Sequence, residues 1–155
     1  MKKLALILAL VMGIAISVEA QPRAIGLRLG YGGSASYQHS FGEKNMLQAD
    51  LDLIGFWGCG VAATYNWIFP ISNNSWNWYA GVGGATGYYW RWNGSSSGYI
   101  GVAGMIGIEY NFDFPLQLSV DWRPVLGPAF GRGDTGFNGA GLYAGSIGIG
   151  ARYRF

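Results

Sequence analysis

Leu47-Gln48-Ala49-Asp50-Leu51-Asp52-Leu53 decides the fold, because apolar and polar residues alternate through it without a break. A helix would scatter these side chains around its circumference, whereas a strand sends successive side chains to opposite faces. One face of the segment is therefore wholly apolar, and the other carries Gln48, Asp50 and Asp52. A strand placed between lipid and a polar lumen needs this pattern.

The same period of two extends outward in both directions. Before the segment, Ile25, Leu27, Leu29 and Tyr31 lie opposite Arg28, while Tyr37 and Phe41 lie opposite Ser36, Gln38 and Ser40. After it, Val61, Ala63, Tyr65, Trp67 and Phe69 oppose Thr64 and Asn66, and Trp76, Trp78, Ala80 and Val82 oppose Gly81 and Gly83. Ile100, Val102, Ile106, Ile108, Tyr110 and Phe112 oppose Glu109 and Asn111; Leu116, Leu118, Val120 and Trp122 oppose Gln117, Ser119, Asp121 and Arg123. Last, Tyr143, Ile147, Ile149, Ala151, Tyr153 and Phe155 share a face opposite Ser146, Arg152 and Arg154. The pattern predicts eight strands, with every strand charge (Arg28, Asp50, Asp52, Glu109, Asp121, Arg123, Arg152 and Arg154) on the face away from the apolar one. Gly42 to Asn45, Ser72 to Ser75 and Asp113 to Pro115 read as short turns. They alternate with connections at the other end, of which Asn93 to Gly98 and Pro124 to Gly139 are the longer.

Composition agrees with this reading. The chain has 155 residues, 27 of them glycine, with 16% aromatic and only 12% charged residues. A soluble domain carries about 25% charged residues, and a disordered chain is poor in aromatics. Residues 1–20 read as a cleavable export signal, with Lys2 and Lys3, an apolar stretch from Leu4 to Ile16, and small residues Val18 and Ala20 before the cut. That stretch is short of the roughly 20 residues that span a bilayer as a helix. No later apolar run is long enough either, so a membrane protein of this sequence must close its strands into a barrel spanning residues 21–155. Beyond residue 20, eight basic residues face seven acidic ones and form no basic stripe, which argues against a nucleic acid partner. Cys59 is the single cysteine and has no disulfide partner within the chain.

Signal, strands and the terminal Arg152-Tyr153-Arg154-Phe155 together resemble the small bacterial outer-membrane β-barrels of the OmpA/OmpX type, including porin-like barrels of similar length. Gly107-Ile108-Glu109-Tyr110-Asn111-Phe112 and Asp121-Trp122-Arg123-Pro124 also look like motifs of that family. The resemblance implies an eight-stranded antiparallel transmembrane β-barrel in the outer membrane of a Gram-negative bacterium, with both termini periplasmic. It further implies that Phe155, with Tyr153 two residues before it, is the signal read by the barrel-assembly machinery, and that outer-membrane lipid surrounds the wall.

A barrel of eight strands is filled by side chains rather than by water. Arg28, Arg123, Arg152 and Arg154 are thus expected to meet Asp50, Asp52, Glu109 and Asp121 inside. Depth along the strands pairs Arg28 with Asp50 or Asp52, and Glu109 with Arg152 or Arg154. A plug and a rearranging ion gate both use such charges. Outer-membrane barrels include lipid A-modifying enzymes that need histidine with serine and a carboxylate; the lone His39 falls near a turn, so no catalytic residue is assigned. Cys59 and His39 lack the spacing of a metal site, and no cofactor is expected. Aromatics at both strand ends, with Tyr65, Trp67, Phe69, Trp76, Trp78, Tyr110, Phe112, Tyr153 and Phe155 at one and Tyr31, Trp57, Tyr88, Trp90, Tyr99, Trp122 and Tyr143 at the other, predict two interfacial girdles. Glycines 83, 84, 87, 101, 104, 107, 145, 148 and 150 are read as making room inside. The 124–139 loop is the place for an extracellular ligand; its Arg132-Gly133-Asp134 matches an integrin-binding tripeptide and reads equally as a loop tip. The expected role is structural or surface-interacting, with a narrow ion or small-solute channel as the first alternative and a lipid A-modifying enzyme as the second.

Overall fold

The structure, a computed structural model, describes residues 20–30, 32–53, 58–72, 75–90, 96–131 and 147–155. The predicted export signal, the Arg132-Gly133-Asp134 tripeptide, Tyr31, Trp57, Tyr143 and Gly145 lie outside the described residues. The chain runs through β1 (Ala20–Leu29), β2 (Gly33–Phe41), β3 (Asn45–Leu53), β4 (Gly58–Ser72) and β5 (Trp76–Trp90). It continues through β6 (Ser96–Asn111), β7 (Leu116–Trp122), β8 (Val125–Leu126), β9 (Ala129–Gly131) and β10 (Ile147–Arg154). All neighbours pair antiparallel, and β1 pairs with β10, so the sheet closes on itself as an eight-stranded barrel.

Ten segments make eight staves because β7, β8 and β9 form one. All three pair with β6 in the same register, Ile106 with Trp122, Ala103 with Val125 and Gly98 with Phe130. The interruptions fall at Pro124 and Pro128, which have no N–H to give the ladder. Their carbonyls still accept, from Gly104 N at 2.9 Å and from Ile100 N at 3.3 Å. This corrects the long loop expected from Pro124: the first eight residues of that stretch continue the wall. Likewise Gly98, expected in a loop, lies inside β6.

The strands are staggered as well as paired. Following register partners from Ile147 through Trp122, Ile106, Ala80 and Trp67 ends at Asn45. Ile147 begins β10 at the end of the barrel where the longer connections lie, the loop end. Asn45 begins β3 at the opposite, turn end, where the three short turns and Phe155 gather. Tilt of this kind is what closing a sheet requires.

Side chains sort by the pleat. Leu27, Val102 and Ile149 are 60–64% exposed on the outer wall, while Arg28, Gln48, Asp50, Asn66, Glu109 and Asp121 are buried inside. Two apolar patches share the interior: Met46, Ile68, Tyr79 and Met105, and, nearer the loop end, Ala62, Ala85, Tyr99, Ala103 and Val125. Tyr99 therefore leaves the expected outer girdle; it belongs to the inward parity of β6 and lies over Gly87, its cross-strand partner. Tyr79 lies over Gly107 in the same way. Gly84 and Gly104, expected inside, share the outward parity of Val82 and Ile106.

At the turn end the outer wall carries a dense aromatic collar. Phe69 stacks on its cross-strand partner Trp78 with centroids 4.3 Å apart, Trp76 meets Tyr110 at 4.8 Å, and Tyr153 meets Phe155 edge-on at 5.6 Å. Tyr88 and Trp90, at 6.4 Å, stand at the loop end.

Candidate functional site

The interior charges sit at three depths. Towards the loop end, Arg28 on β1 grips Asp121 on β7, with Nε and Nη2 at 2.7 and 2.6 Å from Oδ1. The Tyr79 hydroxyl donates to the other carboxylate oxygen at 3.2 Å. At a similar level Arg123 divides its fork between two carboxylates on β3, Nη1 to Asp50 and Nη2 to Asp52, each at 2.6 Å. Ser34 donates to the second oxygen of Asp52 at 2.6 Å, and Gln48 donates to Asp50. A planar guanidinium suits this because its donors diverge at fixed angles.

Midway, Arg152 on β10 donates from Nε to Ser36 Oγ at 2.9 Å and from Nη1 to Ser119 Oγ at 2.7 Å. It is 1% exposed and has no carboxylate within salt-bridge distance among the described residues. Near the turn end Glu109, fully buried, accepts from Asn77 at 3.0 Å, from Gln117 at 2.9 Å and from both terminal nitrogens of Arg23. Arg154 is only half-buried and donates to the Phe112 carbonyl at 3.2 Å.

These contacts differ from the pairings expected from depth alone. Arg28 meets Asp121 and not Asp50 or Asp52; those two belong to Arg123. Glu109 meets Arg23, and neither Arg152 nor Arg154 touches a carboxylate among the described residues. Depth along a strand was the wrong coordinate, because stagger moves equal sequence depths to unequal heights around the wall.

Arg23 was missed for a local reason. By parity it belongs with the outward Ile25 and Leu27, but the β1–β2 register steps from Pro22–His39 to Ala24–Gln38 and leaves Arg23 as an extra residue. Such a bulge frees one side chain from the alternation, and Arg23 turns in to Glu109. Gln38, Gln48, Asn77, Tyr79 and Gln117 were legible from inward parity, and what hid their importance was the lack of a formal charge.

Glycines shape the site as much as the charges do. A Cβ on Gly148 would overlap the Arg28 guanidinium, and one on Gly150 would overlap that of Arg152 and the Ser119 hydroxyl. Each guanidinium thus lies close against bare backbone, the approach for which glycine is needed.

On the outer wall, His39 Nδ1 is 2.9 Å from the Tyr37 hydroxyl, and its ring meets Phe41 edge-on. No group of three or more His, Cys, Asp or Glu side chains is arranged to hold a metal among the described residues. Cys59 is exposed.

Fold and interior together define a closed eight-stranded antiparallel barrel with an apolar outer wall and an ion-paired lumen, consistent with the fold of OmpX-type barrels. No family model matches the chain, and no curated protein or solved structure is significantly similar to it.

Proposed function

We propose that this chain is an integral outer-membrane β-barrel with a structural or surface-interaction role, its lumen plugged by the charge network. The observation that carries this reading is the inversion of polarity between wall and interior. A water-soluble barrel hides apolar side chains and shows polar ones; here Leu27, Leu29, Leu51, Leu53, Ile100, Val102, Ile147 and Ile149 face out while Glu109, Gln48 and Arg152 are buried. A closed barrel leaves no strand edge unpaired, which hydrocarbon demands. The aromatic collar at the turn end suits the headgroup level. Its partners in this reading are outer-membrane lipid, the barrel-assembly machinery and an extracellular ligand at the part of the 124–139 segment that follows the wall, with the termini periplasmic after removal of residues 1–20. The role assigned is non-enzymatic.

Cell fractionation together with planar-bilayer recording of the purified protein tests this. The expected result is protein in the outer membrane and no steady conductance. Recovery as a soluble protein would overturn the membrane reading. Steady conductance that shifts on changing Arg123 or Glu109 would replace plug with narrow channel, and a lipid A mass shift on expression would replace it with an enzyme.

A further inference from the structure

Each adjacent pair of staves except one is tied by a connection of the chain. The exception is the seam between β1 and β10, the first and last strands. Its ladder is also short, running from Ala24–Arg154 to Leu29–Ile149, whereas that of β5 and β6 runs from Trp76–Tyr110 to Trp90–Ser96. With no connection holding the two strands together, the seam is where opening the barrel meets the least resistance from backbone bonds and chain continuity.

The luminal arginines are gathered around this seam. β4 and β5 contain no charged residue, and β6 contributes only Glu109. Arg28 leaves β1, lies across Gly148 of β10 and binds Asp121 on β7, beyond the neighbouring strand. Arg152 leaves β10 and binds on both sides of it: Nε crosses the seam at the level of Gly26 on β1 to Ser36 on β2, and Nη1 holds Ser119 on β7. Arg23 reaches from β1 past β10 and β7 to Glu109 on β6. Two of the three reach in opposite senses, so spreading the seam lengthens contacts on both sides of it at once.

We propose that the β1–β10 seam is the joint at which this barrel opens, and that Arg28, Arg152 and Arg23 form an internal clasp that holds it shut. Gly148 belongs to the device, since its bare backbone lets the Arg28 guanidinium cross the seam. The proposal stands on barrel closure and does not depend on the membrane role.

Amide hydrogen exchange on the folded full chain, in whichever of water, detergent or phospholipid vesicles it folds, tests it. Arg28→Met and Arg152→Met are each expected to speed exchange in 24–29 and 149–154 by roughly tenfold or more, with the amides shared by β4, β5 and β6 unchanged. The milder Asp121→Asn and Ser36→Ala are expected to show the same local pattern at smaller size. A disulfide between Leu27→Cys and Ala151→Cys, built with Cys59→Ser, should restore seam protection to Arg28→Met. Equal acceleration in all strands, or none at the seam, would overturn the clasp. So would failure of the disulfide-locked Arg28→Met to fold, because a locked seam should not need its clasp.

Discussion

Arg123 shows what single residues do in this interior. One guanidinium holds two buried carboxylates, Asp50 and Asp52, each at 2.6 Å. Removing it leaves two acids out of water with no counter-charge, and breaking a buried pair costs about 3–5 kcal/mol. Arg123→Met is expected to lose that much in urea unfolding from lipid vesicles, and adding Asp50→Asn with Asp52→Asn should recover most of it. A loss unchanged by the two amides would mean that Arg123 acts through packing. Glu109 offers a second check at this scale. A double-mutant cycle should find strong coupling with Arg23 and only additive effects with Arg154, which binds a backbone carbonyl instead. Coupling to Arg154 of equal size would contradict the assigned contacts.

Among the elements, glycines inside a strand are costly unless something needs their bare surface. Gly148 on β10 and Gly107 on β6 are needed, since an added methyl would run into the Arg28 guanidinium and the Tyr79 ring respectively. Gly148→Ala and Gly107→Ala are each expected to destabilise by roughly 1–3 kcal/mol, the usual cost of overpacking. Gly84→Ala on the outer wall meets nothing closer than the Gly101 carbonyl oxygen at 3.8 Å. It should be neutral or stabilise by up to about 1 kcal/mol. Comparing the three unfolding free energies in one lipid checks the ranking. The broken stave of β7, β8 and β9 belongs here too, because Pro124 and Pro128 interrupt donation while leaving the register with β6 in step.

For the molecule as a whole, the question is what the outer wall touches. Leu51 is 49% exposed on that wall. In a bilayer, Leu51→Arg is expected to cost on the order of 2–4 kcal/mol; on a wall facing water it should cost almost nothing. Unfolding titrations in vesicles give the difference, and a negligible penalty would refute the membrane reading. Phe155 bears on assembly instead. It is 70% exposed, and its backbone N–H reaches the Arg23 carbonyl at 3.3 Å. Deleting Phe155 is expected to lower insertion in cells while refolding in detergent stays nearly normal; unchanged surface levels would count against an assembly signal.

The segment Leu47–Leu53 carried the inside and outside of its strand in its own residues, and the same was true of Asp121 and Glu109. The reason is that pleating is local: parity needs only two neighbouring residues. Strand number was legible for the same reason, as were the turns at Gly42, with its positive φ of 74°, and at Asp113 to Pro115. What only the tertiary structure decided was partnership. Arg28 with Asp121, and Arg23 with Glu109, join residues 93 and 86 positions apart. Their meeting depends on stagger accumulated around the whole barrel and, for Arg23, on a one-residue bulge that reverses parity without any mark in the local pattern. Closure of β1 on β10 is of the same kind, since no alternation in either strand specifies which edge it will meet.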